Sequence, residues 1–397
     1  MIELRKLSDV ADLTVGYVGT MGKEYSSQGV LFLRSLNIKP FGFDLNDIKY
    51  IPSDFHMKLN KSALKTNDVV IVRTGVPGTC AVIPPELDGS NCADLVIVRP
   101  HMEKIDPYYL CAFINSWGRS QVSNVKVGAI QKHFNVTSAE EMLIPMLNLN
   151  EQKKIASFLR NLNDKIYQNN GICADLEAMT KLLYDYWFVQ FDFPDENGKP
   201  YKSSGGKMVW NNELKREIPE GWEVDKFDDL VDVAPKLKAI MAPDYQEKGE
   251  YPIIDQASNL ITGYTDDKQY LFSNETGCVV FGDVTTHFKF INFPFAKGTD
   301  GTKIIRAKNE RIPALLLYHL IKNCRLPNVG FARHYMFLRE VKVLVPPKSL
   351  CLEYECKTRW LMEAWRLNIE ENQQLVSLRD FLLPMLINGQ VKVSVAE

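Results

Sequence analysis

Two hydrophobic patterns alternate along the chain, one typical of short strands and one typical of long helices. Short apolar runs such as 68–73 and 95–99 lie among Gly and Pro residues, which predicts β-strands. From Leu159 onward, apolar residues recur at alternating steps of three and four, which is the spacing of a coiled-coil seam. The chain is therefore predicted to contain β-rich units that are each followed by a long helix.

Two such seams are present, and we predict that they pair with each other. The members of the first are Leu159, Leu162, Ile166, Asn169, Cys173, Leu176, Thr180, Leu183 and Trp187, and those of the second are Leu361, Ala364, Asn368, Glu371, Leu375, Leu378, Leu382 and Met385. A single polar residue in a seam, here Asn169, commonly fixes the register of the helices. The first helix is expected from about Asn150 to Tyr184, a length of roughly 50 Å.

The chain contains the same plan twice. Three pairs recur at a separation of 201 residues: His133 and His334, Phe134 and Tyr335, and Pro145 and Pro346. Gly29 and Gly249 are 220 residues apart, so the second copy is 19 residues shorter between its glycine and its histidine. A long-period repeat predicts two equivalent units. The two units share the residues at their ends but differ in the length of their middle segment, which predicts that they recognise different targets.

These patterns define the predicted domains. They are a first unit at 1–147, a long helix at 148–190, a linker at 191–221, a second unit at 222–347, a second long helix at 348–390 and a tail at 391–397. The beginning of the linker is rich in Pro, Gly and Ser, and it has room for one hairpin.

Composition narrows the class of protein. With 397 residues and 45% hydrophobic residues, the chain can bury more than one core. It contains neither an apolar run of roughly 20 residues nor a signal-peptide pattern at its start, so we expect a cytoplasmic protein. The eight cysteines form no C-x-x-C pair and have no histidine spacing suited to zinc. We expect reduced, buried thiols and no metal site.

Charge is informative through its distribution. The formal net charge is only −2, but no acidic residue lies between Asp106 and Glu140 or between Glu310 and Glu340. The apolar first half of each window can be a packed helix that begins at a proline. The basic, glycine-containing second half, which ends near His133 or His334, fits a phosphate-facing loop better.

Four stretches resemble one known family. They are 150–166, 182–193, IPEGWEV at 218–224 and FLLPMLING at 381–389. On these residues the chain resembles, over nearly its whole length, the specificity subunit (S subunit) of type I restriction-modification enzymes.

The resemblance implies an α+β fold in which two mixed α/β target-recognition domains, related by a pseudo-two-fold repeat, are joined by two long antiparallel coiled-coil helices. Each domain would recognise one half of a split double-stranded DNA target, and the helices would set the gap. The chain would contain no catalytic residues and bind no cofactor itself. Its partners would be two modification (methyltransferase) subunits and two restriction (motor-nuclease) subunits, on which S-adenosylmethionine, ATP and Mg are expected.

The same resemblance suggests DNA-binding residues in the first unit. They are Arg34, Ser35, Asn37, Arg73, Thr74, Gly75, Lys126, Gln131, Lys132 and His133. The two arginines can contact guanine or phosphate, and Asn37 can pair with adenine. The alternative is that the arginines form salt bridges inside the domain.

The second unit lacks these arginine motifs, which fits a different half-site. Its candidate DNA-binding residues are Gln256, Ser258, Asn259, Thr285, His287, Lys289, Thr299, Arg333 and His334. Because His133 and His334 have no Ser, Cys or acidic partner nearby in sequence, a structural or phosphate-binding role is favoured over a catalytic one.

Two other functions compete with DNA recognition. An enzyme would need chemistry that the sequence does not show, since it contains no phosphate-loop, methyltransferase or H-E-x-x-H motif. Asp195, Glu196 and Lys199 resemble a nuclease set but lie in the linker, so they are interpreted as a surface turn. A coiled-coil assembly scaffold without sequence-specific readout would leave the β-rich units without a function.

The outward faces of the helices are candidate sites for the partner subunits. Their charged residues are Lys153, Lys154, Arg160, Asp164, Lys165, Arg366 and Glu370. A solvated charged face is the alternative.

Overall fold

The structure is a computed structural model, which describes residues 2–118, 134–234, 237–273, 276–308, 311–327 and 333–394. The chain folds into two compact units. The first comprises Met1–Gln168 and Gln373–Glu397, and the second comprises Asn169–Asn372. Each unit contains one β-rich domain and a segment of each long helix. The predicted fold class, mixed α/β domains joined by long helices, is confirmed.

The first unit is built on a four-stranded antiparallel sheet. Its strand order is Ala11–Val15, Leu95–Pro100, Val69–Val72 and Cys80–Val82. The other strands are Glu3–Lys6, Val30–Leu33, Ile38–Lys39, Gly42–Phe43, Lys49–Ile51, Asn91–Cys92 and Leu143–Met146. The short α-helices are Ser53–Lys58, Pro107–Phe113 and Val136–Glu140, with 3-10 turns at Leu7–Asp9, Ser35–Asn37, Asn60–Ser62 and Pro85–Leu87 and a π-helical turn at Ile114–Gly118.

This sheet separates two hydrophobic cores because successive side chains of a strand point to opposite faces. Val69 and Ile71 pack on the side of the helix Pro107–Phe113. Val70 and Val72 pack on the other side, against Leu33. A strand that is buried on both faces reads as a continuous apolar run, which is the pattern of 69–72 in the sequence.

The second unit contains an equivalent four-stranded sheet. Its order is Val231–Val233, Thr302–Ala307, Cys278–Gly282 and Phe288–Ile291. The other strands are Met208–Asn211, Arg216–Pro219, Glu223–Lys226, Tyr251–Ile254, Gly263–Thr265, Leu271–Phe272, Phe295–Lys297 and Lys342–Val345. The short α-helices are Phe227–Leu230, Ala314–Lys322 and Tyr335–Arg339, with 3-10 turns at Ala242–Asp244 and Lys268–Tyr270.

The internal repeat is confirmed by strand pairing. If the four strands of each sheet are numbered along the chain, they lie side by side in the order first, fourth, second, third in both units. Both units also contain a parallel pair of strands outside this sheet, with Phe32 opposite Asn91 in the first and Ile253 opposite Ala296 in the second. The chain therefore visits the strands of this sheet in the same order in both units.

The units differ in length mainly after the first strand of this parallel pair. In the first unit, the hairpin of Ile38–Lys39 with Gly42–Phe43 and the helix Ser53–Lys58 lie between that strand and Val69–Val72. The corresponding stretch of the second unit is shorter and carries the strands Gly263–Thr265 and Leu271–Phe272. The variable middle predicted from the repeat is thus a set of inserted surface elements.

The long helices span Leu149–Tyr184 and Lys348–Ile387, so the limits predicted for the first helix are confirmed. A π-helical turn, Asp185–Val189, continues the first helix. Within the second unit the helices are antiparallel, because Tyr354 Oη donates to the Thr180 carbonyl (3.1 Å) whereas the later Trp365 carbonyl lies near the earlier Cys173 Sγ (3.7 Å). Within the first unit, Arg379 Nη1 donates to Asn163 Oδ1 (2.9 Å).

The first seam is confirmed, and Asn169 lies within it. This residue is fully buried, and its Nδ2 donates to Glu371 Oε2 (2.7 Å) and to Asn372 Oδ1 (3.0 Å). Asn372 Nδ2 donates in turn to Asn170 Oδ1 (2.9 Å). The predicted polar position is therefore part of a layer of amide and carboxylate groups between the helices, buried at Asn169 and Asn372.

The phase predicted for the second seam is wrong over part of its length. Leu378 is 44% exposed, while Met362 and Trp365 are buried. Trp365 stacks on Phe293, and the Met362 carbonyl accepts a hydrogen bond from Asn292 Nδ2 (2.9 Å). Because this helix also packs against the β-rich domain, its buried face is rotated away from a simple seam.

The beginning of the predicted linker is a folded segment. Phe193 stacks between Tyr201 (4.6 Å between ring centroids) and Trp222 (5.4 Å). Asp195 Oδ1 accepts hydrogen bonds from the backbone N–H groups of Asn197 and Lys199, which confirms a surface turn. A hairpin, Met208–Asn211 with Arg216–Pro219, follows. The exact domain boundaries stay predictions.

The cysteines largely follow the expectation. All eight are free; six are buried, Cys324 is half-buried and Cys356 is exposed. Among the described residues, no three His, Cys, Asp or Glu side chains are grouped as a metal ion would require. None of the helices in the described ranges is long and apolar enough to cross a membrane.

Candidate nucleic-acid interface

The loop after strand Val30–Leu33 contains Arg34, whose guanidinium is held inside the domain. Its Nη2 donates to Asp47 Oδ2 (2.9 Å) and also to the Asp47 carbonyl. The Arg34 side chain is 20% exposed. Between the two roles weighed for this arginine, the structure shows the salt bridge.

Asn37 closes the same loop from within, which corrects its predicted contact with adenine. It is fully buried; its Oδ1 accepts from the Arg34 backbone N–H (3.0 Å), and its Nδ2 donates to the Asp44 carbonyl (2.9 Å). Because the oxygen and the nitrogen of the buried amide already have hydrogen-bond partners, Asn37 has no exposed group with which to contact a base. It shapes the loop instead.

Asp94 contacts three of the candidate DNA-binding residues of the first unit. It accepts from Arg73 Nη1 (3.1 Å) and from Thr74 Oγ1 (2.6 Å), and its carbonyl lies 3.4 Å from Ser35 Oγ. Asp94 has a positive φ of 54°, which Asp tolerates better than most residues. The sequence reasoning missed this residue, although its place directly before the strand Leu95–Pro100 marks a loop end.

Arg73 also connects this loop to the end of the acid-free window. Its Nε donates to the Phe134 carbonyl (3.2 Å), and its own carbonyl accepts from the Phe134 N–H (3.2 Å). Beyond Arg73, the turn is exposed at Gly75, and Val76 is 64% exposed. The candidates Lys126, Gln131, Lys132 and His133 lie outside the described residues.

Three loops converge at the matching end of the second unit. Gln256 joins two of them, because its carbonyl accepts from Thr285 Oγ1 and its Oε1 accepts from the Val284 N–H (3.3 Å). The third approaches closely at Gly301, where a Cβ would lie only 2.6 Å from Gln256 Oε1. A side chain at position 301 would therefore displace the Gln256 amide from its contact with this loop.

The candidates on these loops differ in exposure. Ser258, Asn259, Thr285, His287 and Arg333 are exposed, and Gln256 and Thr299 are half-buried. They form one group of hydroxyl, amide and cationic side chains. Such groups can donate to phosphates and hydrogen-bond with base edges.

Two candidates of the second unit are buried, and their predicted DNA contacts are corrected. His334 is 3% exposed; its backbone N–H donates to the Asp283 carbonyl (2.8 Å), and its Nδ1 lies 3.1 Å from the same oxygen. Lys289 is 7% exposed, and its Nζ donates to backbone carbonyls. Burial lowers the pKa of Lys289. Both residues support loops from inside.

Two lysines that the sequence reasoning missed lie beside these loops. Lys303 is near Asp283 Oδ2 (3.8 Å). Burial, together with the neighbouring charge of Lys303, lowers the pKa of Lys297. A pair of nearby lysines at a loop edge is a favourable place for a phosphate. Only their closeness in the fold reveals the pair, since the two lysines are six positions apart in the sequence.

The charged faces of the long helices are partly occupied by contacts within the chain. Arg160 lies over the ring of Tyr108 (3.8 Å to the centroid), and Arg366 pairs with Glu363 and Glu370. Lys153 and Asp164 are exposed. Partner binding at these faces stays a prediction.

Comparison with known proteins gives this arrangement a context. No protein-family model matches the chain. The type I restriction enzyme MjaIX specificity subunit of Methanocaldococcus jannaschii is 23% identical over 72% of this chain and 68% of that protein. Another M. jannaschii protein, provisionally named the type I restriction enzyme MjaX specificity subunit, is 22% identical over 98% of this chain and 94% of its own length. The chain is therefore similar in sequence to two type I restriction specificity subunits.

The relationship to specificity subunits extends to the fold. The crystal structure of the type I restriction-modification system S subunit from M. genitalium covers 100% of this chain and 97% of its own, with a TM-score of 0.51 and 14% identity. This likeness shows that the chain has the fold of that S subunit. The long helices and the duplicated domain frame of this chain are part of that shared fold.

Proposed function

We propose that the chain is the DNA-binding specificity subunit of a type I restriction-modification complex, in which each unit recognises one half of a bipartite target. One observation carries this proposal: two units with the same strand order present chemically different loops at the same end of the fold. The first unit offers a Ser, Thr and Arg cluster around Asp94, and the second offers Gln256, Thr285 and their neighbours. Different loop chemistry on one frame suits two unlike half-sites.

The chemistry would belong to the partners of this subunit. Two modification subunits would methylate adenine with S-adenosylmethionine, and two restriction subunits would use ATP and Mg to move along and cleave DNA. This chain would supply recognition and bind none of these cofactors. The buried, internally bonded His334 supports a non-catalytic role for the repeated histidine of the second unit.

The long helices would set the distance between the half-sites. Each helix contributes one segment to each compact unit, so its length fixes how much chain joins them. The buried layer at Asn169 and Asn372 would hold the helices in one register.

Binding to DNA at several salt concentrations, with the modification subunits present, tests the recognition role. We expect strong preference for one bipartite sequence and a linear fall of log affinity with log salt, because phosphate contacts release counterions. A sequence-independent, salt-insensitive affinity would contradict the proposal. That outcome would favour the alternative, an assembly scaffold without sequence readout.

Insertion of one helical turn into both long helices tests the role of the helices. We expect the unread gap to lengthen while both half-sites stay the same. A variant with the same number of residues inserted after Gly198, in the exposed turn at Asp195, is the matched control and should leave the gap unchanged. An unchanged gap in the helix variant would show that the helices do not set the spacing.

A further inference from the structure

The loop after strand Tyr251–Ile254 is closed by one buried lysine. Lys289 Nζ donates to the Asp255 carbonyl (2.9 Å) at the start of the loop and to the Asn259 carbonyl near its end. The Leu260 carbonyl lies 3.5 Å away on the same side. One ammonium group therefore ties both ends of the loop to the strand Phe288–Ile291, which belongs to the main sheet.

The two ends of this loop depend on the lysine to different degrees. The start has further support, because Asp255 Oδ1 accepts from the Ala257 N–H (2.8 Å) and Asp255 Oδ2 accepts from Tyr245 Oη (3.2 Å). At the other end, Ser258 and Asn259 are exposed. The carbonyls of 259 and 260 are held by Lys289.

A cleft lies behind the exposed end of the loop. Its volume is about 400 Å³, and its wall includes Ser258, Leu260, Lys289, Phe288 and Tyr318. Close packing normally fixes a surface loop from beneath, and an open cleft removes part of that support. Leu260 packs against the hydrophobic core, and hydrogen bonds hold the rest of the loop. An ammonium group with its three N–H donors suits three carbonyls.

We infer that Lys289 is a positioning residue for recognition of one half-site. It fixes the Asp255–Leu260 backbone so that Gln256, Ser258 and Asn259 face the DNA in one arrangement, and it does not itself touch a phosphate. This inference rests on the proposed function. It predicts that loss of the lysine reduces the preference for the correct half-site over other sequences. It does not predict an equal loss of affinity for every sequence.

The test compares the full chain with its Lys289→Met variant, both assembled with the modification subunits. Discrimination is measured against DNA pools randomised in one half-site at a time, and affinity is measured over a salt series. We expect at least a tenfold loss of discrimination at one half-site only, with the salt slope of the wild type. A phosphate contact would instead lower the slope by about 0.9 and leave discrimination intact. That result would overturn the inference.

Two further variants separate positioning from folding. Lys207→Met makes the same change at an exposed lysine of the same unit, and both half-sites should keep full discrimination. Lys289→Gln keeps two N–H donors and should retain more discrimination than Lys289→Met. Hydrogen exchange should accelerate in the Asp255–Leu260 loop while strands Cys278–Gly282 and Phe288–Ile291 stay protected. Loss of protection in these strands in both Lys289 variants would show a folding residue and overturn the inference.

The outcome for the wild type distinguishes this inference from the function on which it rests. If the wild type itself discriminates at neither half-site, the proposed function fails. If the wild type discriminates at both and Lys289→Met does too, only the role of Lys289 fails.

Discussion

The two units hold their candidate recognition loops by different means. Besides the buried Asn37, the first uses ion pairs that reach the surface: Arg73 with Asp94 and Arg34 with Asp47, whose carboxylates are 41% and 59% exposed. The second uses interior groups, with Lys289 bonded to carbonyls and Asp283 bonded beneath its loop. Since the strand order is the same, the anchors can change without changing the frame. One fold can therefore carry two different recognition surfaces.

The difference has energetic consequences. Exposed ion pairs contribute about 0 to 1 kcal/mol, because water and salt screen them. A buried group that loses its partner costs about 1 to 3 kcal/mol, because its polar atoms stay desolvated. The interior anchors of the second unit should therefore be less tolerant of substitution than the ion pairs of the first.

Substitution of Asp283 should have the largest effect. Its side chain is buried, and its Oδ1 accepts from the Tyr335 N–H (2.8 Å) at the start of a short helix. Asp283→Ala leaves that N–H without its partner, and we expect a loss of about 3 kcal/mol in the stability of the second unit. Denaturant unfolding monitored by hydrogen exchange in each unit measures it. A loss below about 0.5 kcal/mol would remove the contrast between the units.

Acid should destabilise the second unit through His319. Burial lowers the pKa of His319 to about 3, whereas an unfolded histidine titrates near 6.5. As pH falls below about 6.5, the unfolded chain takes up a proton that the folded chain does not, so stability is lost until about pH 3. We expect about 1 kcal/mol per pH unit between pH 6 and 4.

His319→Phe is the control for this acid effect. It removes the titrating group and keeps a ring where His319 stacks on Tyr184. The variant should lose that part of the pH dependence, measured as unfolding of the second unit from pH 7 to pH 4. The corresponding helix of the first unit, Pro107–Phe113, contains no histidine. An identical pH slope in the variant and the wild type would contradict the assignment.

Neutralisation of Asp94 should cost less than loss of Asp283. Asp94→Asn keeps a residue that tolerates the positive φ and removes the charge opposite Arg73. Because the Asp94 carboxylate is partly exposed and screened by water, we expect a loss of about 1 kcal/mol, confined to the first unit. Hydrogen exchange of the strand Val69–Val72 reports it. A loss equal to that of Asp283→Ala would show that both anchors are equally critical.

The smallest effect is expected at the exposed turn of the first unit. Gly75 has a φ of +82°, and no atom lies near the position that a Cβ would occupy. Gly75→Ala should therefore cost only the backbone strain, about 0.5 to 1 kcal/mol. Gly42→Ala, at another glycine with open space but without a positive φ, is the matched control. Equal stabilities of these two variants would contradict the strain argument.

The features that can be predicted from this sequence are those that show as a regular spacing of residues. The spacing of residues along the chain predicts the repeat, the limits of the first long helix and the polar position Asn169 in its seam. The sequence allows salt bridges for Arg34 and Arg73 but does not identify their partners Asp47 and Asp94, because these pairs join loops that only folding brings together. The burial of Asn37 and Lys289 is not evident in the sequence for the same reason, whereas a structural role for His334 is one of the two that the sequence favours. A loop position suggests a surface role for a polar residue, yet each of these supports a loop from inside.

The central claim is that two units with one frame recognise two unlike half-sites. It is tested most directly by mapping adenine methylation across a genome in cells that express this chain with its modification subunits. We predict one bipartite motif, with two different half-sites separated by a fixed number of unread bases. A continuous motif, two identical half-sites or methylation without a motif would contradict the account.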